Sequence, residues 1–188
     1  NLGTITTPFY CGASCLNQSW FDPSGLIALW RFDGSLADIN NIYNGSSPKS
    51  SPTFKTGYFG QAAFFNASLK QAIFTPFIQL HEVSFTIEAW INPTAFPNPS
   101  DESIVGLCPS QIADYCLHIN IRRKKLYFGF YYNDVQGIST IQTNQWIHTA
   151  FVFDIALKQL TIYLNGAVDG QAYVTSPLLL SSGNVTIG

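Results

Sequence analysis

The chain has 188 residues, enough for one domain with a full core, and 46% of them are hydrophobic, which excludes intrinsic disorder. Charged residues are only 11%, against roughly 25% in ordinary soluble proteins, and the net charge of −2 gives no electrostatic reason to expect a nucleic-acid partner. No run approaches the ~18 apolar residues that would cross a bilayer, so membrane insertion of this segment is not expected.

Residues 1–24 differ in character from the rest and read as an N-terminal extension. Leu2, Ile5 and Phe9 are unevenly spaced among threonines, and Thr4–Phe9 could run extended. From Gly25 onward, short apolar strands alternate with turn signals. Ile27–Asp33 reads as a strand, and residues 34–60 as mostly loop. Gln61–Asn66 and Ala72–Thr75 read as short strands. Ser84–Asn92 is the clearest strand, with Phe85, Ile87, Ala89 and Ile91 alternating against Ser84, Thr86, Glu88 and Trp90. A proline-punctuated loop, Asn92–Pro99, follows. Further strands are expected at Ser103–Leu107, Tyr115–Ile121, Leu126–Tyr132, Gly137–Gln142, Trp146–Phe153, Gln159–Leu164 and Val185–Ile187. Arg122–Lys125 reads as a charged turn, and Asn165-Gly166 as a hairpin turn, since both residues tolerate positive φ. No window shows capped helical periodicity. Many short strands at this spacing predict an all-β antiparallel sandwich or barrel.

Four cysteines, Cys11, Cys15, Cys108 and Cys116, allow three disulfide connectivities. Closeness in sequence favours Cys11–Cys15 and Cys108–Cys116. Four Asn-x-Ser/Thr sequons fall at Asn17, Asn44, Asn66 and Asn184, so N-linked glycans are expected. Sequons and paired cysteines agree on an oxidising, secretory compartment. The chain has no Met and begins Asn1-Leu2-Gly3 without a charged or apolar leader, which reads as a processed segment. Glycan would also supply hydration that so few charges do not.

Several segments resemble the laminin-G-like, concanavalin-A-like jelly-roll superfamily. Gly25–Gly34 (GLIALWRFDG) is similar to its opening strand, and Gly57–Asn66 (GYFGQAAFFN) to its "GkfGqAl.Fdg" segment. Phe85–Pro93 resembles "FTiaaWvkP", Trp146–Asp154 resembles "W.HvA.vyD", Leu160–Gly166 resembles "l.lYvNG", and Val185–Gly188 resembles "l.IG". The resemblance covers residues 25–188 and implies two packed antiparallel sheets. Trp30, Trp90 and Trp146 then read as core aromatics, each burying about 150–250 Å². His148 reads as a structural histidine, and Gly57 and Gly60 as turn residues. The family's final strand has no counterpart before Gly188, which implies an open edge or groove.

No catalytic residues are expected. There is no Gly-x-Ser-x-Gly elbow. The only glutamates, Glu82, Glu88 and Glu102, do not form the acidic cluster of the superfamily's glucanases. No cofactor and no dedicated metal centre is read from the sequence. Some relatives bind calcium between loops, and Asp33, Asp38, Asn40 and Asn41 offer oxygen ligands, while ordinary Asx turns account for the same residues. Heparin-binding relatives use basic patches, so Arg122, Arg123, Lys124 and Lys125 are the candidate glycan-binding residues, with a solvated hairpin tip as the alternative. Two functions follow from the resemblance and the extension. One is an extracellular module for recognition or adhesion, binding glycans or other extracellular proteins. The other is a homopolymeric subunit of a filament or coat, in which residues 1–24 complete a neighbour's sandwich.

Overall fold

A computed structural model describes residues 25–96 and 101–188. Expectations for residues 1–24, including the Cys11–Cys15 pair, the Asn17 sequon and strand donation, lie outside them. Twelve strands are present among the described residues: β1 (Thr53–Thr56), β2 (Gln61–Phe64), β3 (Ile73–Thr75), β4 (Phe85–Ile91), β5 (Glu102–Leu107), β6 (Leu117–Arg122), β7 (Lys125–Gly129), β8 (Asp134–Gln136), β9 (Ile147–Asp154), β10 (Gln159–Leu164), β11 (Ala167–Tyr173) and β12 (Val185–Ile187). They form a four-stranded sheet ordered β11-β10-β9-β4 and a six-stranded sheet ordered β3-β12-β5-β6-β7-β8, with β1-β2 as a separate hairpin. Every pairing is antiparallel. The two larger sheets make the expected sandwich.

Period-two patterning explains how the sheets face each other. On β6, Leu117, Ile119 and Ile121 are buried inward while His118 and Arg122 stay only half-buried. On β9, Ile147, Thr149, Phe151 and Phe153 point inward. The centre is aromatic: Phe85, Phe128, Phe130, Phe151 and Phe153 are at most 1% exposed, and their rings meet at centroid distances of 5.0–6.3 Å. Tilted and edge-on contacts of this kind suit the ring quadrupoles.

Several expectations need correction. Ile27–Asp33 is not a strand: it makes one bridge, Trp30 to Asp38. The Asp38 carboxylate takes the Leu29, Ile42 and Tyr43 N–H groups, and Phe32 turns to φ 58°, so side-chain acceptance replaces a ladder. The stretch read as loop contains β1, whose one apolar residue, Phe54, showed no alternation. Strand β11 was absent from the predicted series, because an exposed edge strand with an internal Gly170 has weak patterning. The strand expected at Gly137–Gln142 is displaced to β8. There, the N–H groups of Gly137, Ile138 and Ile141 go to Leu126, Asp169 and Lys124 carbonyls instead of a ladder. Leu126–Tyr132 stops short, at Gly129.

Trp90 and Trp146 depart from the core reading, while Trp30 packs against the core. Trp90 sits on the outer face of β4, as its place in the alternation required, and stacks on Tyr58 at 3.9 Å and 10°. Trp30 is half-buried against the core, with its Nε1–H donating to Tyr43 O at 2.8 Å. Trp146 is likewise half-buried. His148 lies on the outer face too, 3.6 Å from Glu88. The turns fare better. Asn165 and Gly166 have φ of 50° and 82°, and Gly57 and Gly60 close the turn into β2 through a 2.9 Å hydrogen bond. Among the described residues, β4 has no strand on its outer side.

Candidate functional site

The outer face of the six-stranded sheet carries the densest polar and aromatic cluster. Strand alternation brings His118, Asn120 and Arg122 of β6 to this face, with Tyr127 of β7 and Asp134 of β8. Asn120 pairs with Tyr127, so His118 and Arg122, two residues to either side, flank the Tyr127 ring. The His118 ring is nearly parallel to it at 5.5 Å, and the Arg122 guanidinium lies 3.9 Å over it. One cross-strand row runs His118, Gly129, Asp134. Gly129 makes that row possible. A β-carbon there would overlap Asp134 Oδ1 and stand 2.7 Å from the Asp134 Cα. Without it, Asp134 reaches across β7, and His118 Nε2 lies 3.1 Å from its Oδ1.

Arg122 and His118 on this face each meet a carboxylate. Arg122 donates through Nε and Nη2 to the Asp101 carboxylate at 2.6 and 2.5 Å, and Asn120 Nδ2 donates to the same group at 3.2 Å. The Arg122 hydrogen bonds hold the Asp101 carboxyl below its usual range, against the upward push of burial. Asp101 in turn raises Arg122. Burial pushes Asp134 upward, but His118, the Tyr127 hydroxyl at 3.0 Å and the Tyr131 N–H at 3.2 Å together bring it below the ordinary carboxylate value. Burial, then the Asp134 charge, raises Tyr127.

One end of this face is walled by two connected loops. Cys108 and Cys116 form the disulfide expected from their spacing, closing a loop beside β6. Asp114 in that loop donates its N–H to Phe130 O at 2.7 Å, and its carboxylate accepts from Asn133 Nδ2. Asn133 Oδ1 also accepts from Thr175 N–H and Oγ1 at 3.2 and 3.0 Å. The β7-β8 turn, Tyr131-Tyr132, is thereby held beside His118, with the Tyr131 ring edge-on to the imidazole at 6.4 Å.

The sequence-predicted residues are placed as follows. Arg122 and Lys125 form the last rung of the β6-β7 hairpin, and Arg123 and Lys124 are its exposed turn, with φ of 51° and 63°. The four do not act as one cationic patch, since Arg122 turns onto Asp101. Asp33 and Asp38 border a cleft of about 350 Å³ lined also by Leu29, Arg31, Phe32 and Asn41. Asp38 is 1% exposed and accepts three backbone N–H groups, and Asp33 Oδ1 accepts the Gln61 N–H at 2.7 Å, so both behave as turn-forming carboxylates. Among the described residues, no three His, Cys, Asp or Glu side chains come together as a metal centre. Asn44, Asn66 and Asn184 are all exposed. Asn44 Oδ1 accepts the Asp38 N–H at 3.0 Å and Asn66 Oδ1 accepts the Ser68 N–H at 3.0 Å. Sequence reasoning missed Asp101, His118, Tyr127, Tyr131, Tyr132 and Asp134. One signal was present: polar residues at alternate positions 118, 120 and 122 inside an apolar strand.

The described residues form an antiparallel jelly-roll sandwich with a polar, aromatic outer face. Residues 66–188 match the family model described as the concanavalin A-like lectin/glucanases superfamily, and the chain belongs to that superfamily. The match begins at Asn66, the last residue of the second N-terminal segment of the resemblance. No curated protein matches the sequence. The structure is similar to domain 4 of an extracellular arabinanase from Geobacillus stearothermophilus, solved with arabinotriose (TM-score 0.65, 18% identity, 84% of this chain and 80% of that one). It is also similar to the binding domain of Paraclostridial Mosquitocidal Protein 1 (0.68, 15%, 85% and 42%). A third similar structure is the botulinum neurotoxin serotype C1 binding domain (0.59, 13%, 86% and 42%). The chain spans less than half the length of these toxin binding domains. At such identities the likeness shows the fold.

Proposed function

We propose that this domain is a non-catalytic, secreted glycan-binding module. The observation that carries the reading is the matched face around Tyr127, where guanidinium, imidazole, carboxylate and amide groups sit beside aromatic rings. Sugars are bound by such combinations, because their hydroxyls need planar hydrogen-bonding groups and their C–H faces need apolar surface. The superfamily and the arabinotriose-bound neighbour support it. The disulfide supports an oxidising compartment.

Catalysis finds no support on this face. Glycoside hydrolysis needs one carboxylic acid with a raised pKa, and both Asp101 and Asp134 are lowered and held by neighbours. The test is binding of the full chain to an immobilised panel of neutral and acidic oligosaccharides. Retention of at least one glycan, weakened by Tyr127→Ala, is expected. A chain that retains none would falsify the reading.

Polymerisation by donation of residues 1–24 is the second reading. It rests on the seven-residue strand β4, which has no described strand on its outer side. Light scattering of the purified chain separates the two: concentration-dependent growth favours the polymer, and a monomer at all concentrations removes it.

A further inference from the structure

The β7-β8 hairpin closes through a two-residue turn, with Phe130 N–H donating to Asn133 O at 2.9 Å. Its central residues, Tyr131 and Tyr132, have φ of 68° and 69°. Turns of this shape favour Asn-Gly or Gly, because a β-carbon is strained at positive φ. The same chain makes such a turn with Asn165-Gly166 between β10 and β11, and with Arg123-Lys124 at φ of 51° and 63° between β6 and β7. Two adjacent tyrosines are therefore the costly choice, and burial does not offset it at Tyr132, which is 81% exposed.

The surroundings hold the turn in place. Tyr131 N–H is fixed by Asp134, and Asn133 by Asp114 and Thr175. The Tyr132 ring meets the Tyr131 ring edge-on at 4.7 Å yet stays 81% exposed, and strain that is held by neighbours for a ring left this open marks a position kept for something outside the chain. An exposed aromatic ring at the rim of a polar face offers a flat apolar surface with hydrogen-bonding groups behind it. Beside it, Asp134 already faces His118, and further along Asp101 already faces Arg122. Among the described residues, the two cationic or ionisable basic groups of this face nearest the turn, His118 and Arg122, already face carboxylates, while Lys125 lies at the opposite end of β7.

We propose that Tyr132 is the platform on which one ring of a neutral sugar stacks, and that the matched charges behind it select against acidic sugars. This rests on the glycan-binding reading above. The experiment takes the full chain and the neutral oligosaccharide it retains best on the panel, with heparin and sialyllactose as acidic probes. Tyr132→Gly is expected to weaken the neutral sugar by roughly tenfold or more while Tm stays equal or rises, because glycine relieves the turn. Tyr132→Phe is expected to keep binding. Equal binding by Tyr132→Gly overturns the platform while leaving glycan binding in place. A lower Tm for Tyr132→Gly shows that the ring holds the turn, and overturns it as well. Preference for heparin or sialyllactose overturns the selectivity. Retention of no glycan at all removes the underlying reading together with this inference.

Discussion

Replacing Gly129 by alanine tests whether the polar face is built as described. The added β-carbon would stand 2.6 Å from Asp134 Cγ and 2.7 Å from its Cα, and the second of these is backbone. Side-chain rotation alone cannot relieve that overlap, so β7 and β8 must separate or Asp134 must swing away. Asp134 would then release the Tyr127 hydroxyl, the Tyr131 N–H and the His118 ring. Overpacking costs about 1–3 kcal/mol, and a lost hydrogen bond to a charged, half-buried group adds about 1 kcal/mol or more. The expected loss is about 2–4 kcal/mol, read as a shift in the urea midpoint at unchanged slope. For a domain of this size that is roughly 5–15 °C in Tm. In parallel, the His118 imidazole resonances should move in a proton–nitrogen spectrum. A variant within about 0.5 kcal/mol of the parent, with His118 resonances unmoved, would refute the row His118, Gly129, Asp134 as a tightly fitted unit.

Asp38→Ala removes the acceptor of three backbone N–H groups at a site 1% exposed, so a loss of about 2–4 kcal/mol is expected from urea unfolding. A loss below about 1 kcal/mol would show that those N–H groups find other partners. Asp101 and Asp134 have lowered pKa values in the fold. A carboxyl lowered on folding stabilises above its unfolded value, here 3.8, and that contribution disappears as pH falls through the folded value. These two groups therefore leave stability flat from neutral pH down to about pH 5 and reduce it progressively below. Asp134→Asn should remove part of that acid limb in urea titrations, and an identical limb would exclude Asp134 from it. Secretion from a eukaryotic host should add glycan mass at exposed Asn44, Asn66 and Asn184, removable by an N-glycosidase. Peptide mapping that finds all three bare would remove them as glycan sites.

Much of the sandwich could be read from side-chain alternation, because period two follows directly from the pleat. The segment Phe85–Ile91 matches its prediction almost residue for residue, and its alternation also fixed which face Trp90 takes. Reading Trp90 as core gave its size more weight than its position. The strand expected at Ile27–Asp33 failed for a different reason. Asp38 is several residues downstream, and nothing local announces that its carboxylate will take the N–H groups a ladder would use. The polar face was the hardest part to see. Asp101, His118, Tyr127 and Asp134 come from four separate stretches, and only the register of β5, β6, β7 and β8 joins them. The basic run at 122–125 was visible, but its meaning was not, since Arg122 is neutralised by a residue 21 positions away.

Low charge and a charged cluster are reconciled by how the ions are arranged. The hairpin β6-β7 places its two exposed cations, Arg123 and Lys124, at one end and leads to the Tyr131-Tyr132 turn at the other. Along β7 the separation from Lys125 to Tyr131 is six residues, or roughly 20 Å at about 3.3 Å per residue. That is more than a Debye length at physiological salt, so the exposed cations contribute little field at Tyr132. Any attraction for a sulfated glycan therefore belongs to the Arg123-Lys124 turn and should vanish with added salt, because it would be an exposed electrostatic contact. A neutral sugar at Tyr132 owes its binding to stacking and hydrogen bonds, which salt barely screens. Measuring both ligands at low and high salt separates the two ends of one hairpin. A neutral-sugar affinity that falls with salt as steeply as heparin's would show that one charged site serves both.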